Sequence, residues 1–181
     1  MHEVVIRIRQ TADLDDCVEA LRAVHNADAY PMNWPADPHG WLTPPRLLQA
    51  WIAESPRGSV VGHVAVQRLP AASDSQAPAR HAELSRLYVT ATARRRSVAS
   101  ALVRQAKLWA AGQGYDLTLY VTNEPRSAAV AFYEATGWQH SHTTDVDWTT
   151  PDGETVKLRH YILGRPGMLT PAAGRSQEMA K

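Results

Sequence analysis

A chain of 181 residues with 44% hydrophobic and 20% charged residues suits one soluble globular domain with a sizeable core. Its formal net charge of +1, histidines neutral, leaves no global field to attract nucleic acid or a membrane surface, so any anion binding has to be local. The single cysteine, Cys17, excludes an internal disulfide and fits a reducing compartment.

Met1 to Gln10 alternates polar and apolar residues without the unbroken apolar stretch of a signal peptide. No run is long and apolar enough to span a bilayer, and a cytoplasmic location is the expectation. The run from Val4 to Arg9 predicts a first strand. Thr11-Ala12-Asp13 offers a helix start, and Leu14, Cys17, Val18, Leu21 and Val24 follow at helical spacing. Cys17 falls on that apolar stripe, as a buried structural thiol would.

From Tyr30 to Leu42 three prolines and a glycine argue against regular structure, while Tyr30, Trp34 and Trp41 argue for an ordered loop that covers something. Thr43-Pro44-Pro45 has the form of an N-cap with proline in the first turn, predicting a short helix through Leu48. Residues 50–54 and 59–67 read as a hairpin about Ser55-Pro56-Arg57-Gly58. Residues 69–80 carry no periodic pattern and read as a surface loop, and residues 81–89 read as a strand.

A helix is predicted from near Ser97, with Val98, Ala101, Leu102, Ala106 and Trp109 on one face and Gly112 and Gly114 closing it. Residues 116–122 form a strand. Ser127 then caps a helix running to about Thr136, which Gly137 ends. Two final strands, 138–148 and 155–163, flank Pro151-Asp152-Gly153, and residues 165–181 read as a frayed tail. The order β-α-α-β-β-β-α-β-α-β-β demands a sheet with both parallel and antiparallel pairs.

Between the strand ending at Val89 and the helix near Ser97 stand Arg94, Arg95 and Arg96, followed by the small residues Ser97, Ala99, Ser100 and Ala101. A helix N-terminus presents unpaired N–H groups and partial positive charge, and small side chains let an anion approach them. The segment therefore reads either as a phosphate or pyrophosphate nest or as a solvated run of charge.

Residues 83–138 resemble the GNAT family of acetyl-CoA-dependent N-acetyltransferases. The family's signature, Gln/Arg-x-x-Gly-x-Gly/Ala between a strand and a helix, stands here as Arg94-Arg95-Arg96-Ser97-Val98-Ala99, with Leu87-Tyr88-Val89 before it and Ala101-Leu102 after. Ala129-Val130-Ala131-Phe132-Tyr133-Glu134-Ala135-Thr136-Gly137-Trp138 is similar to the closing A-x-x-x-Y-E-x-x-G-F block. Ser97 departs from the pattern, occupying the position of the first glycine.

The resemblance implies a single-domain α/β (α+β) fold over residues 1–164, with a mixed, mainly antiparallel central sheet flanked by helices. It implies acetyl-CoA as co-substrate, a primary amine as acceptor, and no metal; the bulky aromatic loop favours a small-molecule amine over a protein. Leu87 would meet the pantetheine arm, Val89 would donate its amide to the thioester oxygen, and Arg94, Arg95, Arg96, Ser97, Val98, Ala99 and Ser100 would take the pyrophosphate. Tyr133 is the implied general acid and Glu83 the candidate general base, against a reading of Glu83 as a residue that only orders the acceptor. The acceptor side is read from Tyr30, Trp34, His39 and Trp41 in the first loop and Asp145, Asp147 and Trp148 near the last hairpin: aromatic walls with carboxylates suit a cationic amine. Those tryptophans equally suit packing of the loop onto the sheet. His140 and His142, two apart in a strand, share a face and with His160 on the partner strand could bind a metal, but the fold requires none. A protein lysine or N-terminus as acceptor, and a non-catalytic CoA-binding or interaction module, stay open, as does monomer or homodimer.

Overall fold

The computed structural model describes residues 4–69, 80–122, 128–149 and 155–163, with side chains described up to Asp145 in the third of these segments. The predicted tail lies outside them. The strands are β1 (Val5–Ile8), β2 (Leu47–Glu54), β3 (Val60–Arg68), β4 (His81–Val89), β5 (Asp116–Thr122), β6 (Trp138–Thr149) and β7 (Thr155–Leu163). The helices are α1 (Leu14–Asp28), α2 (Pro38–Leu42), α3 (Val98–Gln113) and α4 (Ala128–Ala135). The seven strands form one sheet in the order β1-β2-β3-β4-β5-β7-β6, and only β4 and β5 run parallel.

Strand alternation gives the sheet two apolar faces. On one, Trp51, Val64, Val66, Ala82, Leu84, Leu117 and Leu119 meet Val98, Leu102, Val103, Ala106 and Ala110 of α3. On the other, Ile52, Val60 and Tyr88 meet Cys17, Ala20, Leu21 and Val24 of α1 and Leu42 of α2. Burial pushes the Cys17 thiol up to about 12, so it is an inert core residue.

The structure corrects three local expectations. The N-cap with proline in the first turn operates one segment earlier than predicted: Asp37 Oδ1 accepts from Gly40 N at 3.0 Å and Pro38 opens α2, a helix inside the stretch read as irregular. Thr43 ends that helix, and β2 begins at Leu47 where a helix through Leu48 was expected, because pairing of Leu47 with Gln67 on β3 claims the chain. In α3, Ala101 is exposed and Val103 and Ala110 are buried instead; the helix passes through Gly112 and stops at Gly114, φ 71. Ser127, the expected cap of α4, lies outside the described residues.

Candidate functional site

The site begins where β4 parts from β5. These strands pair only over His81–Asp116, Ala82–Leu117 and Glu83–Thr118. On its other side β4 stays paired with β3, but with a bulge: Tyr88 faces His63 and Ser85 faces Ala65, so Arg86 and Leu87 together oppose Val64. Arg86 takes a left-handed conformation, φ 53.

His63, fully buried, holds this bulge. Its Nδ1 donates to the Arg86 carbonyl at 3.0 Å, and its Nε2 accepts from Arg9 Nη1 at 3.1 Å, which fixes the tautomer. Burial, together with the Arg9 and Arg86 charges, lowers its pKa to about 3 and keeps it neutral. Past the bulge, Thr90 N donates to Val61 O of β3 at 2.9 Å, and strand alternation then turns the N–H groups of Val89 and Leu87 away from β3, into the gap left by β5. The Val89 carbonyl on that side accepts from Arg94 Nε at 3.2 Å.

The loop after β4 bends by alternating its backbone hand. Arg95 and Ser97 have φ 59 and 58, with Arg96 between them outside the left-handed region. Successive residues of opposite hand turn their amides to one side and form an anion nest. The first backbone bond of α3 runs from Ala101 N to Ser97 O at 2.9 Å, which leaves the amides of Val98, Ala99 and Ser100 without intrahelical partners. Backbone amides are thus left open along the stretch expected to bind an anion, Arg94 to Ser100. Arg95, Arg96, Ser97 and Ser100 are exposed, whereas the Arg94 guanidinium is engaged elsewhere: both of its terminal nitrogens pair with Asp28 at the end of α1.

A cleft of about 310 Å³ joins these parts. Leu87, Val89, Arg94 and Ala99 line one side, Tyr133 and Phe132 of α4 another, and Tyr30 and Asp28 a third. Tyr133 is 7% exposed, and its hydroxyl meets no hydrogen-bond partner among the described residues. Burial raises its pKa above the ordinary phenol range, so it is a neutral donor at physiological pH.

Glu83 is buried on the sheet face that carries α1 and α2. Gln67 Nε2 donates to its Oε2 at 2.6 Å and the Tyr120 hydroxyl to the same oxygen at 3.3 Å. Among the described residues Oε1 has no partner. Burial raises the Glu83 pKa, opposed by those two hydrogen bonds and the Arg86 charge. Tyr30 is 36% exposed, but desolvation around its hydroxyl pushes the phenol up to about 12, so it is neutral at physiological pH.

The remaining acceptor candidates divide. Trp41 lies edge-on to Tyr30 with 6.2 Å between ring centroids and beneath the Arg86 guanidinium at 4.9 Å. Trp34 is spent on α1, 5.4 Å from the His25 ring and under Arg22 at 4.5 Å, and does not line the cleft. His39 pairs with Asp15 at 2.8 Å. Asp145 faces Lys157 at 3.5 Å on an exposed strand pair. The side chains of Asp147 and Trp148 lie outside the described residues. His142 and His160 stack at 4.2 Å, and His160 meets the Tyr120 ring edge-on at 4.9 Å, which extends the aromatic wall beside Glu83. Among the described residues no three His, Cys, Asp or Glu gather as a metal-holding group.

Sequence reading missed Gln67, Tyr120, His63 and Arg86. Gln67 had a usable signal, since the register of β3 on β4 places it opposite Glu83. Tyr120 stands two residues past Thr118, the last partner of Glu83 on β5, and so shares its face.

Comparison with known proteins agrees with this fold. The pattern described as the Acetyltransferase (GNAT) family matches residues 14–138. N-acetyltransferase 8 of Mus musculus is 34% identical over 116 residues, covering 64% of this chain and 49% of that protein. N-acetyltransferase family 8 member 3 of Rattus norvegicus is 37% identical over 89 residues, covering 49% of this chain and 37% of its own length. The chain thus spans about half the length, or less, of these curated relatives. An N-acetyltransferase from Staphylococcus aureus Mu50 superposes with a TM-score of 0.71 at 21% identity, covering 89% of this chain and 98% of that one. Arabidopsis thaliana NAA60, solved in complex with acetyl-CoA, superposes with a TM-score of 0.69 at 13% identity, covering 88% and 97%. At these identities the structural likeness is one of fold. With the family pattern running over more than half its length, the chain belongs to the GNAT family of acetyltransferases.

Proposed function

We propose that the protein transfers an acetyl group from acetyl-CoA directly to the primary amine of a small molecule. The observation that carries this reading is the cleft in which the open amides of β4, the start of α3 and the buried Tyr133 phenol meet. The relatives' shared name, N-acetyltransferase, supports it. In this reading the amides of Arg95 to Ser100 hold the pyrophosphate, the Leu87 backbone meets the pantetheine arm, and the Val89 amide polarises the thioester carbonyl. The Glu83 Oε1 accepts a proton from the amine as its nitrogen bonds the carbonyl carbon. The C–S bond breaks, and the Tyr133 hydroxyl protonates the leaving sulfur, recovering its own proton from solvent. Tyr30 and Trp41 wall the acceptor side, and their bulk favours small acceptors over a protein segment.

Free-thiol release from acetyl-CoA against a panel of small primary amines and of peptides bearing lysine or a free N-terminus tests this reading. Release is expected with a subset of the small amines, at higher kcat/KM than with any peptide. Glu83→Gln is expected to lower kcat by about 100-fold. The wild-type rate falls as pH drops through the raised Glu83 pKa, because the carboxylate takes up a proton; the variant loses that acidic limb. Acetyl-CoA binding without release against every acceptor would overturn the catalytic reading, and a wild-type pH profile in Glu83→Gln would remove the base.

A further inference from the structure

Arg86 sits in the β4 bulge with φ 53, a left-handed conformation that residues with a side chain rarely adopt. The fold holds it there through His63, so that the guanidinium lands on the acceptor face. Its Nε donates to the Trp41 carbonyl, and its Nη1 to Ser85 Oγ at 3.0 Å and more weakly to Gln67 Oε1 at 3.4 Å. Nη2, with two further N–H groups, has no partner among the described residues. Burial outweighs all favourable charges around it and lowers its pKa, which marks a cation short of counter-charge. The Glu83 charge favours the Arg86 cation, yet no ion pair joins the two, and Glu83 turns Oε2 to Gln67 and Tyr120.

A proton acceptor and a half-used guanidinium are therefore linked through Gln67, with the Trp41 ring against the guanidinium. A ligand that satisfies both carries an amine and an anion on neighbouring atoms. Building on the transfer reading above, we infer that the acceptor is a zwitterion of the α-amino-acid type, whose carboxylate is received by Arg86 Nη2 while its amino group meets Glu83 Oε1. A planar guanidinium binds a carboxylate in a fixed geometry, and in a half-buried site that contact orients the adjacent nitrogen. A peptide N-terminus and a lysine side chain both lack a carboxylate beside the amine and are disfavoured on the same ground.

The test uses thiol release from acetyl-CoA with free α-amino acids, each beside its carboxamide and its decarboxylated amine. For an accepted side chain the wild-type protein is expected to favour the free acid over the carboxamide by about 30-fold or more in kcat/KM. The carboxamide has the less basic amine, more of it neutral at pH 7, so this order opposes intrinsic availability. Arg86→Met is expected to raise KM for the free acid about 30-fold or more while changing the decarboxylated amine's KM less than about 3-fold; Arg86→Lys, which keeps the charge but not the fork, falls between. Equal losses on both acceptors would make Arg86 only a strut for α2 and overturn the inference. So would a wild-type preference for carboxamides or decarboxylated amines, a comparison that holds even where a variant fails to fold. No release with any of the three classes, with acetyl-CoA binding measured separately, would instead be the failure of the transfer reading itself.

Discussion

Ser97 is the residue where the chain departs from its family's pattern, and the structure shows what the position requires. With φ 58 it adopts the left-handed backbone that a glycine would take freely. A serine bears this at about 1 kcal/mol, a β-branched residue at more. Its side chain makes no cap bond, so only its small size and its backbone matter. Ser97→Gly is therefore expected to hold acetyl-CoA as tightly as wild type, with a melting temperature within about 2 °C of it, since relief of strain and the extra freedom of glycine when unfolded offset each other. Ser97→Val is expected to weaken acetyl-CoA binding about 10-fold and to lower the melting temperature by several degrees. Wild-type affinity and stability in Ser97→Val would show that the nest is not what holds the pyrophosphate.

At the scale of elements, the bulged β4 is kept open by groups drawn from distant parts of the chain. Arg9, next to β1, donates to the Leu42 carbonyl at 2.7 Å, to His63 of β3 and to Thr43 Oγ1 at 2.9 Å. Arg86 takes the adjacent carbonyl of Trp41, so two cations cover the last turn of α2. His63 makes this arrangement sensitive to acid. Its folded pKa of about 3 lies below its ordinary 6.5, so the unfolded chain binds more protons between these values, and stability falls as pH drops through that window. Glu83, with a raised pKa, works in the opposite sense. The melting temperature is expected to fall between pH 7 and pH 5, and less steeply in His63→Asn, which keeps a donor for the Arg86 carbonyl but cannot take up a proton. Identical slopes in the two proteins would contradict this role.

None of that network was legible in the sequence, because no local signal connects residues 9, 63 and 86. The short-range features were legible: the element order, the Arg94–Ala99 nest and the tyrosine of α4, each encoded within a turn or two. The α2 error was local too, since Asp37-Pro38 and Thr43-Pro44 both read as helix starts and only the pairing of Leu47 with Gln67 decides between them.

For the molecule as a whole, a sheet that parts after Glu83–Thr118 creates a gap with β4 amides on one edge, α3 at its end and Tyr133 across it. The catalytic candidates arrive from both faces of the sheet, Glu83 from the α1–α2 side and Tyr133 from α4, and Tyr30 lines the cleft with Tyr133. In the proposed reading, backbone amides, more than arginine side chains, hold acetyl-CoA. Amide hydrogen exchange resolved along the chain, with and without saturating acetyl-CoA, tests it most directly. Slowed exchange is expected at Leu87, Val89 and the amides from Arg95 to Ser100, with the β2–β3 hairpin unchanged. Full acetyl-CoA binding with unchanged exchange at those amides would contradict it.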